Sequence, residues 1–555
     1  MDSFDKLIIK NDYLFRRSQG KRVLFATGFS GYNHGAIVDK IISTAIFLRN
    51  STAEFYICDE FLPTCMLTKI KQITPNELAR SNKQPRCKDC FSNGKKYLQH
   101  LKAKKHYFSE YVSRVEILEI EKIIEEIKTE DILKFNLDGI NIGEEVYAGT
   151  LRYFGREEIE NEEFKNLIIK KFFKSALLTK ISFTNLLDKN KFDCVVYSHG
   201  IYIPHGIINQ ILKKKNIRNV VYIPSYRKNT FIFSHNDTYH KTMPLEDNSK
   251  WNNLNLSKRQ NTELDKYLFS RRSGLNDWIF FNKDNNYDFD KIALENNIDK
   301  KKKIVLLLTN VIWDARLHYE SNAFSSMIEW LMFTIDYYKN SKHVQLVIRI
   351  HPAELTGEVP SRQKVEDEIK KKFTIIPENI KIIKPENPAS TYTLIENSNL
   401  VLIYNTKTGI EAAAMGKKVL VAGEAWIRNK DFSFDATSKK DYLNKLENIN
   451  LSKDLSQYKV LLAKKYAYHI FFRRMIQLNQ ISVNYYKNKK FDINIKSIFE
   501  LTQNFSKELD TICNGILNGE DFICDNQNFK TENQNFINFQ YFKKKIFNYL
   551  RFSLL

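Results

Sequence analysis

The sequence predicts an α/β protein of two Rossmann-like domains that face each other, and three stretches carry that prediction. Residues 21–28 are an apolar strand that runs into Gly28-Phe29-Ser30-Gly31-Tyr32-Asn33-His34-Gly35. A helical pattern over 36–48 and a second strand at 54–58 complete a βαβ unit. From residue 304 onward, strands near 304, 344, 380, 400 and 418 alternate with helices, the pattern of a second parallel sheet. Within that sheet, residues 347–354 and 399–412 each end a buried strand abruptly in polar residues. One end supplies a His-Pro turn and the other a Thr-Lys-Thr-Gly helix start, and both face the crevice where open α/β sheets bind ligands. A phosphorylated donor fits such a crevice.

The 555 residues exceed what one core spans, and the composition divides them further. Residues 1–284 read as an N-terminal, acceptor-side Rossmann-like domain with a helical insertion over 93–187. Its charged run 116–128 reads as a solvated helix face. A second strand–turn–helix–strand follows, with strands at 192–197 and 219–223 around Ser198-His199-Gly200-Ile201-Tyr202-Ile203-Pro204-His205-Gly206. Residues 285–303 are polar, lysine-rich and suited to a linker. Residues 304–440 form the donor domain, and 441–555 a helical extension with a basic, aromatic tail. No internal repeat is visible.

Lys and Arg number 86 against 65 Asp and Glu, a net charge of +21 that favours anionic partners. Much of the excess is Lys mixed with Asn and Ile, as on a solvated surface, and no nucleic-acid module accompanies it, so no nucleic acid is expected. No apolar run reaches the ~18 residues of a membrane span, and the first residues lack a secretory pattern. The expected location is the cytoplasm, with the tail at 542–555 suited to lie on the inner face of the membrane. The first glycine-rich loop departs from G-x-G-x-x-G, and no P-loop lysine follows it. Neither a nicotinamide nor an ATP site is supported, and no cofactor is expected. Seven cysteines do not make a disulfide scaffold. Four of them, Cys58, Cys65, Cys87 and Cys90, form a structural zinc candidate, against which stands the lack of a second CxxC pair. No other metal is expected.

Two facing Rossmann-like domains resemble the architecture called GT-B, shared by many nucleotide-sugar glycosyltransferases and some epimerases; a sugar transfer on it would require groups that hold the departing phosphate and a base for the acceptor. His351 lies just past a strand, where Pro352 restricts its backbone, and its imidazole is placed to donate to a phosphate; the alternative is a core histidine. Arg349 and Glu354 flank it and alternatively pair with each other. Thr406, Lys407, Thr408 and Gly409 open a helix whose free amides and dipole favour an anion, with Gly409 allowing close approach; an ordinary threonine cap is the plainer reading. Glu411 faces a ribose or complements the dipole. Asn310, Asp314 and Asn405 complete the candidate donor set, and Lys228 and Asn229 are candidate acceptor contacts. The catalytic carboxylate is expected from the N-terminal domain at Asp237, as base or nucleophile, with a turn aspartate as the alternative. His34, His199 and Asp59 are its rivals, Asp59 also reading as a cap.

Trp313-Asp314, Phe324, Glu329-Trp330, Arg349-Ile350-His351-Pro352-Ala353-Glu354, the run 404–412, and Gly416-Lys417-Lys418-Val419 with Ala422-Gly423 resemble the C-terminal half of bacterial capsule polysaccharide biosynthesis glycosyltransferases. Ser198-His199-Gly200 and the run 226–233 are similar to the same group, so the likeness spans residues 20–440. The resemblance implies the GT-B architecture, a nucleotide-sugar co-substrate, a glycan or glycolipid acceptor, and a role in building surface glycans. Its His-Pro branch includes transferases of CMP-activated 3-deoxy-ulosonic acids such as Kdo. Metal-independent chemistry is the default for that architecture. The same fold also serves non-hydrolysing sugar-nucleotide epimerases, and a polyanion-binding assembly protein without catalysis is the reading from a different class.

Overall fold

Strands apolar along their whole length are buried on both faces and pair in parallel, and two sets of them organise this chain. The computed structural model describes residues 3–525 apart from 16–19, 30, 32, 82, 275, 278–280, 282–284 and 485–489. In the first half, β1 (Arg22–Gly28), β2 (Thr52–Ile57), β3 (Lys105–Tyr107), β4 (Cys194–Ser198) and β5 (Asn219–Pro224) pair in parallel in the order β3-β2-β1-β4-β5. A sixth strand, β6 (Thr230–His235), returns antiparallel to β5. In the second half, β7 (Lys303–Leu308), β8 (Val344–Arg349), β9 (Ile380–Ile383), β10 (Leu400–Ile403), β11 (Val419–Val421) and β12 (Phe434–Asp435) run β9-β8-β7-β10-β11-β12, all parallel. Each sheet is doubly wound, with its switch point beside its first strand, where ligand crevices form.

The first sheet reaches its crevice through Gly28, whose φ of +78° leads β1 into α1 (Asn33–Phe47); a left-handed backbone there favours glycine. The insertion contains α2 (Ile142–Phe154), buried nearly all round, and the long helix Lys165–Lys189 against it. The charged run is the helix Arg114–Glu126, started by a Ser113–Glu116 capping box and exposing Val115 and Leu118.

Three departures from the sequence reading concern domain limits. Residues past β6 already pack on the second domain: Trp251 and, from α3 (Lys258–Ser270), Leu264 and Tyr267 share a core with Leu306, Val401 and Ile410. The expected linker holds a helix, Phe289–Glu295, whose Ile292 and Ala293 enter that same core. The segment after 440 is not a separate extension either. Its helices Lys439–Asn448 and α4 (Gln457–Tyr468) pack on the second domain. The chain then crosses back through His469–Arg474, where β13 (Ile476–Gln477) joins the edge of β6. The helix Lys507–Asn518 covers α1. A two-residue strand is too short to show a period, so this return was illegible. The crossing is pinned by Glu246, which accepts from Arg474 (2.8 Å) and His469, while Lys430 donates to the carbonyls of Pro244 (3.2 Å) and Glu246 (2.5 Å). Despite burial, Arg474, His469 and Lys430 hold the Glu246 carboxyl at about 2. The tail at 542–555 lies outside the described residues. Among those described, no helix is long and apolar enough to cross a membrane.

Asp39 of α1 is buried beneath the end of β1 and accepts from the Tyr222 hydroxyl at 2.6 Å. Burial raises its carboxyl to about 7, the Tyr222 and Thr27 hydroxyls only partly opposing it. A raised folded pKa means that the neutral form is the stable one. Wild-type stability is therefore fully present below pH ~4 and is lost as pH rises to ~7, by an amount on the order of 4 kcal/mol. Asp39→Asn keeps the acceptor oxygen and is expected to match wild type in urea titrations near pH 4 and to exceed it at pH 7.5. Equal stability at both values refutes the assignment.

Candidate active site

The carboxyl ends of β7, β8 and β10 bring Asn310, His351 and Asn405 through Thr408 to one rim, as the sequence predicts. Past β8, the His351 amide donates to Thr309 Oγ1 (2.9 Å) and the Ala353 amide donates to His351 Nδ1 (3.0 Å). Burial, then Arg349 and Lys407, depress this imidazole to about 4. A neutral ring that accepts at Nδ1 carries its proton on Nε2, which makes that nitrogen a donor. Asn310 donates Nδ2 to the Val311 carbonyl (3.2 Å), and its buried Oδ1 has no partner. Thr406 and Thr408 are half-buried and share a hydroxyl contact of 3.2 Å. Asn405 is half-buried beside them.

The other donor-set residues hold the fold. Arg349 is buried and donates to the Lys384 carbonyl and, at 3.0 Å, to that of Asn387. Glu354 accepts from the Val365 amide (3.0 Å). Lys407 is buried against Glu411, its ammonium 4.1 Å from the centre of the Tyr226 ring. Glu411 also accepts from the Tyr392 hydroxyl and lies 3.4 Å from Arg271, which pairs with Asp277 at 2.5 Å. Burial and Arg271 pull the Lys407 ammonium down to about 8 although Glu411 faces it. Glu411 itself, despite burial, is held at about 2 by Arg271, Lys407 and Tyr392. A cation so enclosed is a support of the rim, not a free phosphate ligand. Gly409 fills a packing need: a Cβ there would stand 2.6 Å from the Ile403 Cδ1 and 2.8 Å from that of Ile427. The helix it belongs to, Thr408–Ala414, has seven residues.

The N-terminal wall is the loop after β4. His199 and Tyr202 have φ of 70° and 64°, left-handed values that non-glycine residues adopt where the surroundings enforce them. Tyr202 donates to Asp314 Oδ1 (3.0 Å) and accepts from the Ala315 amide (3.1 Å), crossing between domains. Asp314 opens on the crevice but is otherwise enclosed by protein, which raises its carboxyl even though Arg152 opposes the shift. Arg152 of α2 is 7% exposed, lies over the rings of Tyr202 (5.4 Å) and Trp313 (5.7 Å), and leaves Nε without an acceptor. Glu145, two turns earlier on α2, accepts from the Tyr202 amide and from His318 Nε2, each at 3.1 Å. Burial pulls the His318 imidazole down, but Glu145, with Glu144 behind it, outweighs this and raises it. His199, with an unpartnered buried Nδ1, is driven well below its ordinary range by burial, then by His240, His205, Arg152 and His318. Glu145, Arg152, Tyr202, His318 and His240 escaped the sequence reading. Two charges seven apart in an apolar helix share one face, and that spacing was the available signal for Glu145 and Arg152.

Asp237 is not in this crevice. Because β6 runs antiparallel, its far end lies beside Asn219, the first residue of β5, at the amino edge of the sheet. The carboxylate accepts there from Asn209 (3.0 Å), the Thr238 amide (2.8 Å) and Lys213 (2.7 Å). Asp59 accepts from the Ser109 amide (3.3 Å) and hydroxyl. His34 falls at the start of α1, and its side chain lies outside the described residues. Lys228 and Asn229 sit in the β5–β6 turn, where the Asn229 carbonyl accepts from Leu478 (2.8 Å). Cys58, Cys65, Cys87 and Cys90 form no disulfide, and Cys90 Sγ accepts from the Gly31 amide (3.2 Å). Among the described residues no three cysteine, histidine or carboxylate side chains gather as a metal-ligating group, so the zinc reading is not met.

Two doubly wound sheets whose carboxyl ends meet at one crevice define a protein of the GT-B class. Residues 236–486 match the family model described as capsule polysaccharide biosynthesis protein. The match begins where the chain leaves β6 for the second domain. No curated protein matches the chain. Among solved structures, it is similar to two from Thermosulfurimonas dismutans. One is KpsC, beta Kdo 2,4 transferase, at 10% identity over 49% of this chain and 79% of that one, TM-score 0.33. The other is KpsC, beta Kdo 2,7 transferase, at 14% identity over 58% and 88%, TM-score 0.29. A UDP-GlcNAc 2-epimerase from Neisseria meningitidis bound to UDP-GlcNAc is similar at 12% identity over 80% and 98%, TM-score 0.24. At TM-scores this low, none of the three carries an argument about the chemistry here.

Proposed function

We propose that this chain is a glycosyltransferase that moves a sugar from a nucleotide-activated donor to a growing capsule or surface glycan. What supports it is that one crevice is lined by a neutral imidazole donor at His351 and by Asp314 on the second domain, with Arg152 of the first domain at the seam. His351 Nε2 and the hydroxyls of Thr406 and Thr408 donate to the leaving phosphate. Asp314, made more basic by its enclosure, takes the acceptor hydroxyl's proton as that oxygen bonds the anomeric carbon. The bond from the anomeric carbon to the phosphate oxygen breaks, and the nucleotide leaves with its electron pair. With Arg349 and Lys407 withdrawn, the rim suits the single phosphate of a CMP-linked sugar. Arg152, a buried cation without a carboxylate in ion-pair contact among the described residues, suits the sugar carboxylate of an ulosonic acid. A glycolipid acceptor brings the enzyme to the inner membrane face, for which the tail at 542–555 carries basic residues.

The test is a screen of CMP-Kdo, UDP-GlcNAc and GDP-mannose by thermal shift, with product mass spectrometry in the presence of a Kdo-primed glycolipid. A ligand bound by the folded state raises Tm. His351→Ala is expected to weaken donor binding about tenfold or more. Wild-type donor affinity is expected to stay flat from pH 6 to 8, because the ring titrates near 4. An affinity that falls across pH 6.5 removes the neutral-donor role. Release of an altered free sugar nucleotide without acceptor replaces the transferase with an epimerase, and no response to any nucleotide sinks both.

A further inference from the structure

Behind the β5–β6 turn lies a second cavity, of about 790 Å³, apart from the crevice. Its walls carry Arg227, Lys228, Lys258, Arg259 and Lys266, with Glu263 as the one acidic side chain. Arg227 is the unusual member. Its guanidinium stacks over Phe472 at 5.0 Å and donates to the Met475 carbonyl at 3.3 Å, while its buried Nε has no acceptor. Among the described residues no carboxylate comes within ion-pair distance of it, and burial lowers its pKa. Arg227 is half-buried with its Nε enclosed, and a guanidinium so placed without a carboxylate favours an external counter-charge.

The opposite wall strengthens the point. Lys258 and Arg259 occupy the first turn of α3, where the helix dipole disfavours cations. Lys258, Thr262 and Lys266 stand one turn apart along one face, about 6 Å between successive positions, a spacing on the scale of one sugar residue. Tyr267 and Phe472 add ring surface. The cavity and the crevice meet at one turn: Tyr226, whose ring lies 4.1 Å from Lys407, precedes Arg227. Tyr267 lines the cavity and donates to Asp277 of the Glu411 network at 2.8 Å.

We infer that this cavity binds an acidic glycan segment, carboxylate- or phosphodiester-bearing, and holds the acceptor chain beyond the residue being extended. That the anion is a glycan rests on the transferase reading; that the site takes an anion rests on Arg227 and the lysine face. Fluorescent oligogalacturonate is the probe, titrated against the full chain without donor, with neutral dextran beside it. The exposed pair Lys258→Glu/Lys266→Glu is expected to weaken oligogalacturonate binding about tenfold. The same charge change at Lys301→Glu/Lys303→Glu, exposed residues at the amino end of β7 outside the cavity walls, is expected to have less than a twofold effect. Arg227→Met is expected to follow the cavity pair. Equal losses at both pairs mean that net charge alone binds the probe and overturn the site, as does dextran binding equal to the acidic probe or no binding by wild type. A single-stranded oligonucleotide that binds more tightly and is lost with the cavity pair overturns the glycan. Turnover plays no part in the measurement, so its failure leaves the transferase reading standing, and a failed donor screen leaves the cavity standing.

Discussion

Asp314→Asn is expected to reduce turnover by about 10²–10⁴-fold while donor affinity changes less than about twofold. The asparagine still accepts from the Tyr202 hydroxyl and keeps the seam intact, so what it loses is the ability to take a proton. Asp237→Asn is expected to retain most activity, because its carboxylate is tied to Asn209, Thr238 and Lys213 at the other edge of the sheet. Steady-state kinetics and donor calorimetry on the two variants separate these roles. Full activity in Asp314→Asn, or collapse in Asp237→Asn, reverses the assignment, with His199 as the next base to test.

Glu411→Gln is expected to cost about 3–5 kcal/mol of stability, because it leaves Lys407 buried beside a neutral group and Arg271 with Asp277 alone. Adding Lys407→Met removes one stranded charge and is expected to recover part of the loss, a coupling that a double-mutant cycle in urea measures. The wild-type pH dependence follows from the carboxyl held at about 2. A depressed carboxylate contributes stability above its unfolded value near 4.5, and this is lost as pH falls from there toward 2. A Glu411→Gln variant as stable as wild type at pH 7 removes the network from the account of this rim.

The parallel strands were legible because burial on both faces writes them as unbroken apolar runs: Ile304 to Leu308 and Leu400 to Ile403 need no partner to be recognised. Strand direction leaves no such mark. Residues 230–235 read equally well either way, and the antiparallel course of β6 carried Asp237 to the wrong edge. His351 and Thr406 stood out because a polar residue at the end of a buried strand is anomalous. Arg152 and Glu145 were passed over because a helix buried nearly all round looks like core. Lys407 and Arg349 lie at the strand ends the pattern marks, but their partners, Glu411 and the carbonyls of Lys384 and Asn387, were illegible, since sequence cannot show which partners the fold supplies.

The chain passes between the domains once after β6, ahead of Trp251, and again through 469–475. A body joined by one strand swivels freely; one joined by two turns only about the line through both, as a door does on two hinges. Opening of this crevice therefore has essentially one mechanical degree of freedom. Asp314 and His351, on one leaf, approach Tyr202 and His199, on the other, along a fixed arc, so the geometry of the closed site is set by where the hinges lie. The same wiring makes the protein indivisible. Cutting before residue 469 strips the edge partner from β6 and the cover from α1, exposing the first domain's core along with its lost hinge.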